Sequence, residues 1–228
     1  MIKVTFVLSI EMRETAREAA LRIFCLRRAN QQNRNEVTRM DSRHLLELLA
    51  NNPIIAAVKD DQGLGDTLVS SVDVIFLLYG NILNLPELVR RVHAAGKAAF
   101  VHLDLVEGLT NREIAADFVA RSTAAAGIIS TKSPLIKRGR ELGLVAIQRY
   151  FLLDSMALSN IERDLSRDAA DLIEVLPGLM PKMIRRLVLA TGKPIIAGGL
   201  ISDKEDVTGA LGAGAVAVST TNPAVWTM

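Results

Sequence analysis

Short apolar runs alternate with polar, amphipathic stretches along most of this 228-residue chain. Nearly continuous runs of Ile, Val, Leu and Ala fall at residues 54–58, 74–78, 98–103, 127–130, 144–147, 172–175, 194–197 and 215–218, giving eight candidate strands. Strands buried on both faces read this way in parallel sheets. The stretches 85–95, 111–123, 135–142 and 180–190 carry helical spacing, and several intervals close on a glycine, Gly96, Gly143, Gly192 or Gly214, just before the next strand. Ahead of the first strand, Asp41 or Ser42 can cap a helix running to Ala50, which Asn51-Asn52-Pro53 ends. Eight strand–helix units predict an α/β fold of the compact (β/α)8 TIM-barrel type, in preference to an open doubly wound sheet.

The chain changes character near Met40. Residues 1–39 contain no Gly, Pro or Asp and carry seven arginines, Arg13, Arg17, Arg22, Arg27, Arg28, Arg34 and Arg39. Residues 11–28 could form a helix with a loose apolar stripe, and residues 31–35 read as a polar linker. The expected organisation is an N-terminal helical extension over 1–39 and a barrel over 40–228. The extension is either upstream sequence read from a start assigned too early or a basic arm.

Composition narrows the picture. Half the residues are hydrophobic but only 4% are aromatic, so aliphatic side chains must fill the core. A net charge of +2 argues neither for nor against nucleic acid. The single cysteine, Cys25, has no intrachain partner and no metal-ligand pattern around it. No apolar run approaches the length of a membrane span, and the apolar start lacks a cleavage site, so a cytoplasmic protein is expected.

In such a barrel the chemistry sits at the C-terminal ends of the strands. The seventh run stops at Gly198-Gly199 and the eighth at Ser219-Thr220-Thr221. Loops after strands 7 and 8 commonly build a phosphate cup from backbone N–H groups. Glycine allows close approach there, and hydroxyls add donors. Gly198, Gly199, Ser219 and Thr220 are therefore candidate phosphate binders. The other strand ends supply Lys59, His102, Asp104, Glu107, Gln148, Arg149 and Glu174. Lys59 reads as a catalytic amine or as a charge pairing with a ligand or with Asp104. Glu174, inside an apolar run, reads as an acceptor for a ligand hydroxyl or as the partner of Arg149 or Lys59. His102 shares a strand face with Asp104 and reads as a neutral histidine in a hydrogen-bond network, or as a general base. Asp104 and Glu107 could hold a polyol or a divalent metal; no histidine-rich pattern supports the metal, and none is expected. Basic residues cluster at Lys132, Lys137, Arg138 and Arg140, with further groups at 90–97 and 182–186.

The strings PIIAAVKD, VIFLLYGNI, FVHLDLVEGL, GIISTKSPLIKRGRELGLVAIQRYFLLDS, IEVLPGLMPK, PIIAGGLIS and GAVAVSTTN stand in order over residues 53–226. Together they resemble the bacterial glycerol-3-phosphate-responsive antiterminator family; residues 1–39 have no counterpart in its pattern. The resemblance implies a TIM-barrel regulator with no catalytic residues and no cofactor. Its effector would be sn-glycerol 3-phosphate, and its macromolecular partner the leader mRNA of glycerol-catabolism operons. On that basis the phosphate would sit at Gly198, Gly199, Ser219 and Thr220. Asp104, Glu107, Gln148 and Glu174 would accept from the glycerol hydroxyls, and Lys59 and Arg149 would offset the charge. The cluster Lys132, Lys137, Arg138 and Arg140 would be the first candidate for RNA contact, and a homodimer is compatible with the pattern. The competing class is an enzyme acting on a small triose or glycerol phosphate, with Lys59 or Glu174 as acid or base.

Overall fold

The computed structural model describes residues 40–165 and 170–228. The expected extension over residues 1–39, and any role for it, lies outside the described residues. Helix α1 (Ser42–Asn51) is capped by the Asp41 carboxylate, which accepts from the backbone N–H of His44 at 2.8 Å. The chain then alternates through β1 (Ile54–Val58), α2 (Asp61–Val69), β2 (Val74–Leu77), α3 (Leu85–Ala94) and β3 (Ala98–His102). After a 3-10 turn at Leu103–Leu105 come α4 (Ile114–Ser122), β4 (Gly127–Ser130), α5 (Ser133–Glu141), β5 (Val145–Phe151) and α6 (Ser155–Leu165). The last units are β6 (Leu172–Leu176), α7 (Pro181–Thr191), β7 (Ile195–Gly198), α8 (Lys204–Gly212), β8 (Ala217–Thr220) and the short α9 (Pro223–Trp226).

The eight strands are all parallel and pair in sequence order, and β8 pairs back onto β1 to close a (β/α)8 barrel. Two strands run at least two residues past the ends of their apolar runs. β5 continues through Gln148, Arg149, Tyr150 and Phe151 because β6 stays alongside it, with Arg149 opposite Glu174 and Phe151 opposite Leu176. β8 begins at Ala217 and takes in Ser219 and Thr220, which pair against β7 and β1. Backbone pairing, not hydrophobicity, sets where a strand stops.

Side-chain alternation sorts the core into two bodies. Ile55, Ala57, Val74, Phe76, Ala98, Phe100, Ile129, Val145, Ile147, Leu172, Ile196 and Ala217 fill the barrel interior, and Leu45 and Leu49 of α1 pack with them. A larger cluster, with Ala56, Ile75, Val101, Ile128, Ala146, Ile173 and Ala197 among its members, joins the outer strand faces to the helices. α1 thus closes the N-terminal end of the barrel, and only the C-terminal mouth is left for chemistry. Replacing Leu45 by Ala removes a fully buried side chain from that closure. It is expected to destabilise the protein by about 2–5 kcal/mol, read as a lowered urea midpoint.

Candidate functional site

The inward parity of the strands continues upward into polar residues. Above the aliphatic interior stand His102 on β3, Arg149 on β5, Glu174 on β6, Gly198 on β7 and Ser219 on β8. Lys59 follows β1 two residues beyond the inward-facing Ala57. Packed barrels of this type fill such layers with aliphatic side chains, so a polar layer marks the functional floor.

Glu174 anchors that floor. Its side chain is fully buried, and its two carboxylate oxygens are both used. Oε2 accepts from Arg149 Nε at 2.6 Å, and Oε1 accepts from Ser219 Oγ at 2.5 Å. The bonds tie β5, β6 and β8 together across the interior, and β7 runs directly beside them. A Cβ at Gly198 would stand 2.7 Å from both Glu174 Oε1 and Ser219 Oγ, so this glycine is required by the bond it lies next to. The following Gly199 and Leu200 both adopt positive φ, +74° and +63°. For leucine that conformation costs energy, and the residue is exposed on the rim.

The phosphate candidates therefore split by role. Gly198 and Gly199 frame the rim of β7. Ser219 spends its hydroxyl on Glu174 inside the barrel. Thr220 has the outward parity: its hydroxyl donates to Ile201 O at 2.7 Å and accepts from Asn222 N at 3.1 Å, holding the loop after β7 against the end of β8.

The remaining candidates are distributed around the mouth. Asp104 accepts from Thr131 N (2.7 Å), Ser130 Oγ (2.9 Å), Thr131 Oγ1 (3.0 Å) and Lys132 Nζ (3.2 Å), so it staples the end of β3 to the end of β4. Burial pushes its carboxyl up, but these hydrogen bonds together outweigh burial and hold it below the usual carboxylate range. Glu107 is exposed; its backbone bridges to the loop after β2, where it donates to Gly80 O and accepts from Ile82 N, both at 2.9 Å. Gln148 is buried on the outward parity, away from the floor, and its Nε2 has no hydrogen-bond partner. Lys59 is exposed and makes no ion pair with any described residue. Asp60, beside it, caps α2 by accepting from Gly63 N at 2.7 Å.

His102 departs from its expected role. It is 2% exposed and its Nδ1 has no hydrogen-bond partner; Asp104 Oδ2 stands 4.0 Å away. Burial, reinforced by the Arg149 charge, pushes its pKa down to about 4. The ring is neutral at pH 7, as expected, but its Nδ1 enters no hydrogen bond with a described residue. Nothing in the sequence signalled this isolation, because Asp104 was the apparent partner and is taken by four other donors.

In the basic cluster, Lys132 Nζ is held by Asp104 and by Asn111 Oδ1 at 2.6 Å. Arg138 makes two bonds to Asp117, at 2.7 and 3.0 Å, and one to Glu141 at 3.0 Å. Arg140 pairs with Asp171 at 3.1 Å. Lys137 is exposed and without an ion-pair partner among the described residues. Among the described residues no group of three or more His, Cys, Asp or Glu side chains could hold a metal ion. No helix among them is long and apolar enough to cross a membrane.

A family model described as glycerol-3-phosphate responsive antiterminator matches residues 54–226, the whole barrel from β1 to α9. The chain belongs to that family. Among curated proteins this antiterminator-family chain is 45% identical over 184 residues to "Uncharacterized protein YgcP" of Escherichia coli (strain K12), covering 81% of this chain and 96% of that protein. Among solved structures it resembles the glycerol uptake operon antiterminator regulatory protein of Listeria monocytogenes, with a TM-score of 0.75, 34% identity, and 77% and 95% of the two chains covered. It also resembles a glycerol uptake operon antiterminator-related protein of Thermotoga maritima, with a TM-score of 0.68, 34% identity, and 77% and 98% covered.

Two outcomes follow from the floor of this antiterminator-family barrel. Glu174→Ala leaves the Arg149 charge buried without its partner and is expected to cost about 3–5 kcal/mol, whereas Lys59→Ala should stay within about 0.5 kcal/mol of wild type in urea unfolding. The second concerns pH. The unfolded chain protonates His102 near its ordinary 6.5, but the folded protein refuses that proton until about 4. The unfolded state binds more protons in that window, so stability is expected to fall as pH is lowered from about 6.5 to 4. The depressed Asp104 extends the loss to lower pH. Urea midpoints at pH 7 and pH 4.5 measure it, and His102→Asn should flatten the difference.

Proposed function

We propose that this protein is a cytoplasmic, effector-gated transcription antiterminator. With sn-glycerol 3-phosphate in the barrel mouth, it binds the leader mRNA of glycerol-catabolism operons and lets transcription pass a terminator. No catalytic step belongs to this reading. The observation that carries it is the family match across the whole barrel, residues 54–226, on a chain whose mouth has a buried polar floor. The RNA half rests on the family and on the relatives' names. The ligand half also has support from the side chains.

The phosphate is assigned to the glycine-framed rim of β7 and β8, at Gly198, Gly199, Ser219 and Thr220. Both hydroxyls there are already committed, so backbone N–H groups carry the contacts. The unpaired Lys59 and the outer nitrogens of Arg149 offset the ligand charge. Glu174, Glu107 and Asp104 are the acceptors near the glycerol hydroxyls; Gln148, expected among them, faces away from the floor and takes no part in this reading. Exposed Lys137, with Lys132 at the mouth, offers the first phosphate-backbone contacts to RNA. Gating is linkage: an effector that favours the RNA-competent state must itself be bound more tightly when RNA is present.

Calorimetric titration of the full chain with sn-glycerol 3-phosphate, glycerol and inorganic phosphate tests the ligand half. Selective binding of the phosphate ester is expected, weakened roughly tenfold or more in Lys59→Ala through loss of a charge-assisted contact. Filter binding of leader RNA with and without the ester tests the gate, and an RNA affinity unmoved by saturating effector would sink it.

A further inference from the structure

We propose that His102 is a specificity-determining residue that reads the hydroxyl end of a small phosphorylated polyol, in one subsite with the outer guanidinium nitrogens of Arg149. The inference deepens the ligand assignment above and rests on it.

Both residues stand on the inward parity of the polar floor, and both are almost fully enclosed, at 2% and 8% exposure. Neither is internally satisfied. Nδ1 of His102 is buried without a partner. The nearest carboxylate oxygen, Asp104 Oδ2, is 4.0 Å away and already accepts from the Thr131 N–H and hydroxyl. Arg149 donates through Nε to Glu174, and Nη1 and Nη2 donate to no described residue. Leaving a buried polar atom unpaired is costly, and an aliphatic residue at position 102 would avoid that cost. The interior layer just below is aliphatic and aromatic, Phe100, Ile129 and Ile147, so the imidazole is the exception to its surroundings. A group arriving from the mouth removes the cost by supplying the missing partner.

The chemistry of the pair defines that group. The unpartnered Nδ1 of the neutral imidazole is a donor in one tautomer and an acceptor in the other, and a hydroxyl, itself donor and acceptor, pairs with either. The Arg149 fork offers donors only and suits an anionic oxygen. Its orientation is fixed from behind, because Nε is held by Glu174, whose other oxygen is held by Ser219. Glu174 and Ser219 are thus positioning residues for the guanidinium. A hydroxyl a few bonds from a phosphate meets both requirements at once. A phosphate ester without hydroxyls leaves the histidine unpaired, and a polyol without phosphate leaves the arginine unpaired.

The test compares sn-glycerol 3-phosphate with n-propyl phosphate, which has the same carbon count and no hydroxyls, by calorimetry on the full chain. Wild type is expected to prefer the glycerol ester by at least tenfold. His102→Phe should bring that ratio close to one while keeping the affinity for propyl phosphate, and His102→Asn should restore part of it. A second readout needs no variant. The chain has three histidines, and His44 and His93 are exposed. The imidazole nitrogen resonances of the enclosed third are expected to shift on adding the glycerol ester and stay in place with propyl phosphate. A preference that survives in His102→Phe, or an unmoved His102 signal under saturating glycerol ester, overturns the proposal. If wild type binds neither ester, the ligand assignment itself fails and the role of His102 falls with it.

Discussion

A carboxylate enclosed in a packed barrel must be met by an opposite charge and hydrogen bonds, or the fold gives way. Glu174 is that group here. Its two oxygens are answered from two other strands, by Arg149 on β5 and Ser219 on β8. β7, which lies between Glu174 on β6 and Ser219 on β8, can pass only because position 198 carries no side chain. One buried charge thus fixes the identity of residues on four strands and the spacing of the mouth above them. The arrangement is a device for geometry more than for stability, since a well-packed aliphatic core would serve stability as well.

Around this centre the polar side chains divide into those that hold the barrel together and those left with capacity to spare. Asp104 joins two strand ends, Asp60 caps a helix, Thr220 pins a loop, and Arg138 and Arg140 are neutralised by Asp117 and Asp171. Lys59, Glu107, Lys137 and the outer nitrogens of Arg149 stay uncommitted among the described residues, and Nδ1 of His102 has no partner there. Polarity at the mouth is therefore a poor guide to ligand contact. The unspent donors and acceptors are the informative subset.

Much of the fold was legible in the chain. All eight apolar runs became strands, and the capped helix ahead of the first became α1. Glycines closing the helical stretches marked several returns correctly, Gly192 for example at φ +62° after α7. The errors come from reading a strand's end off its hydrophobicity. Ser219 and Thr220 looked like loop donors because the apolar run stops at Val218, yet pairing carries β8 through them. Alternation counted along the extended strand would have turned Ser219 inward to Glu174 and Thr220 outward. The same count separates Arg149 from Gln148, which the sequence placed together. Pairs such as Arg138 with Asp117 join residues far apart in the chain, and only the docking of α5 on α4 brings them within reach.

Helix α1 has a consequence for how the molecule handles a small ligand. Leu45 and Leu49 seal the far end of the barrel and apolar side chains fill its interior, so the mouth ends on a closed floor and not in a passage. Whatever settles on that floor must leave by the opening it entered, past Gly199, Leu200 and the neighbouring loops. Residence time on such a floor is governed at its rim. A rim that tightens over an occupant would lengthen its stay without a single new bond at the floor, and the duration of the signal would be written in the loops.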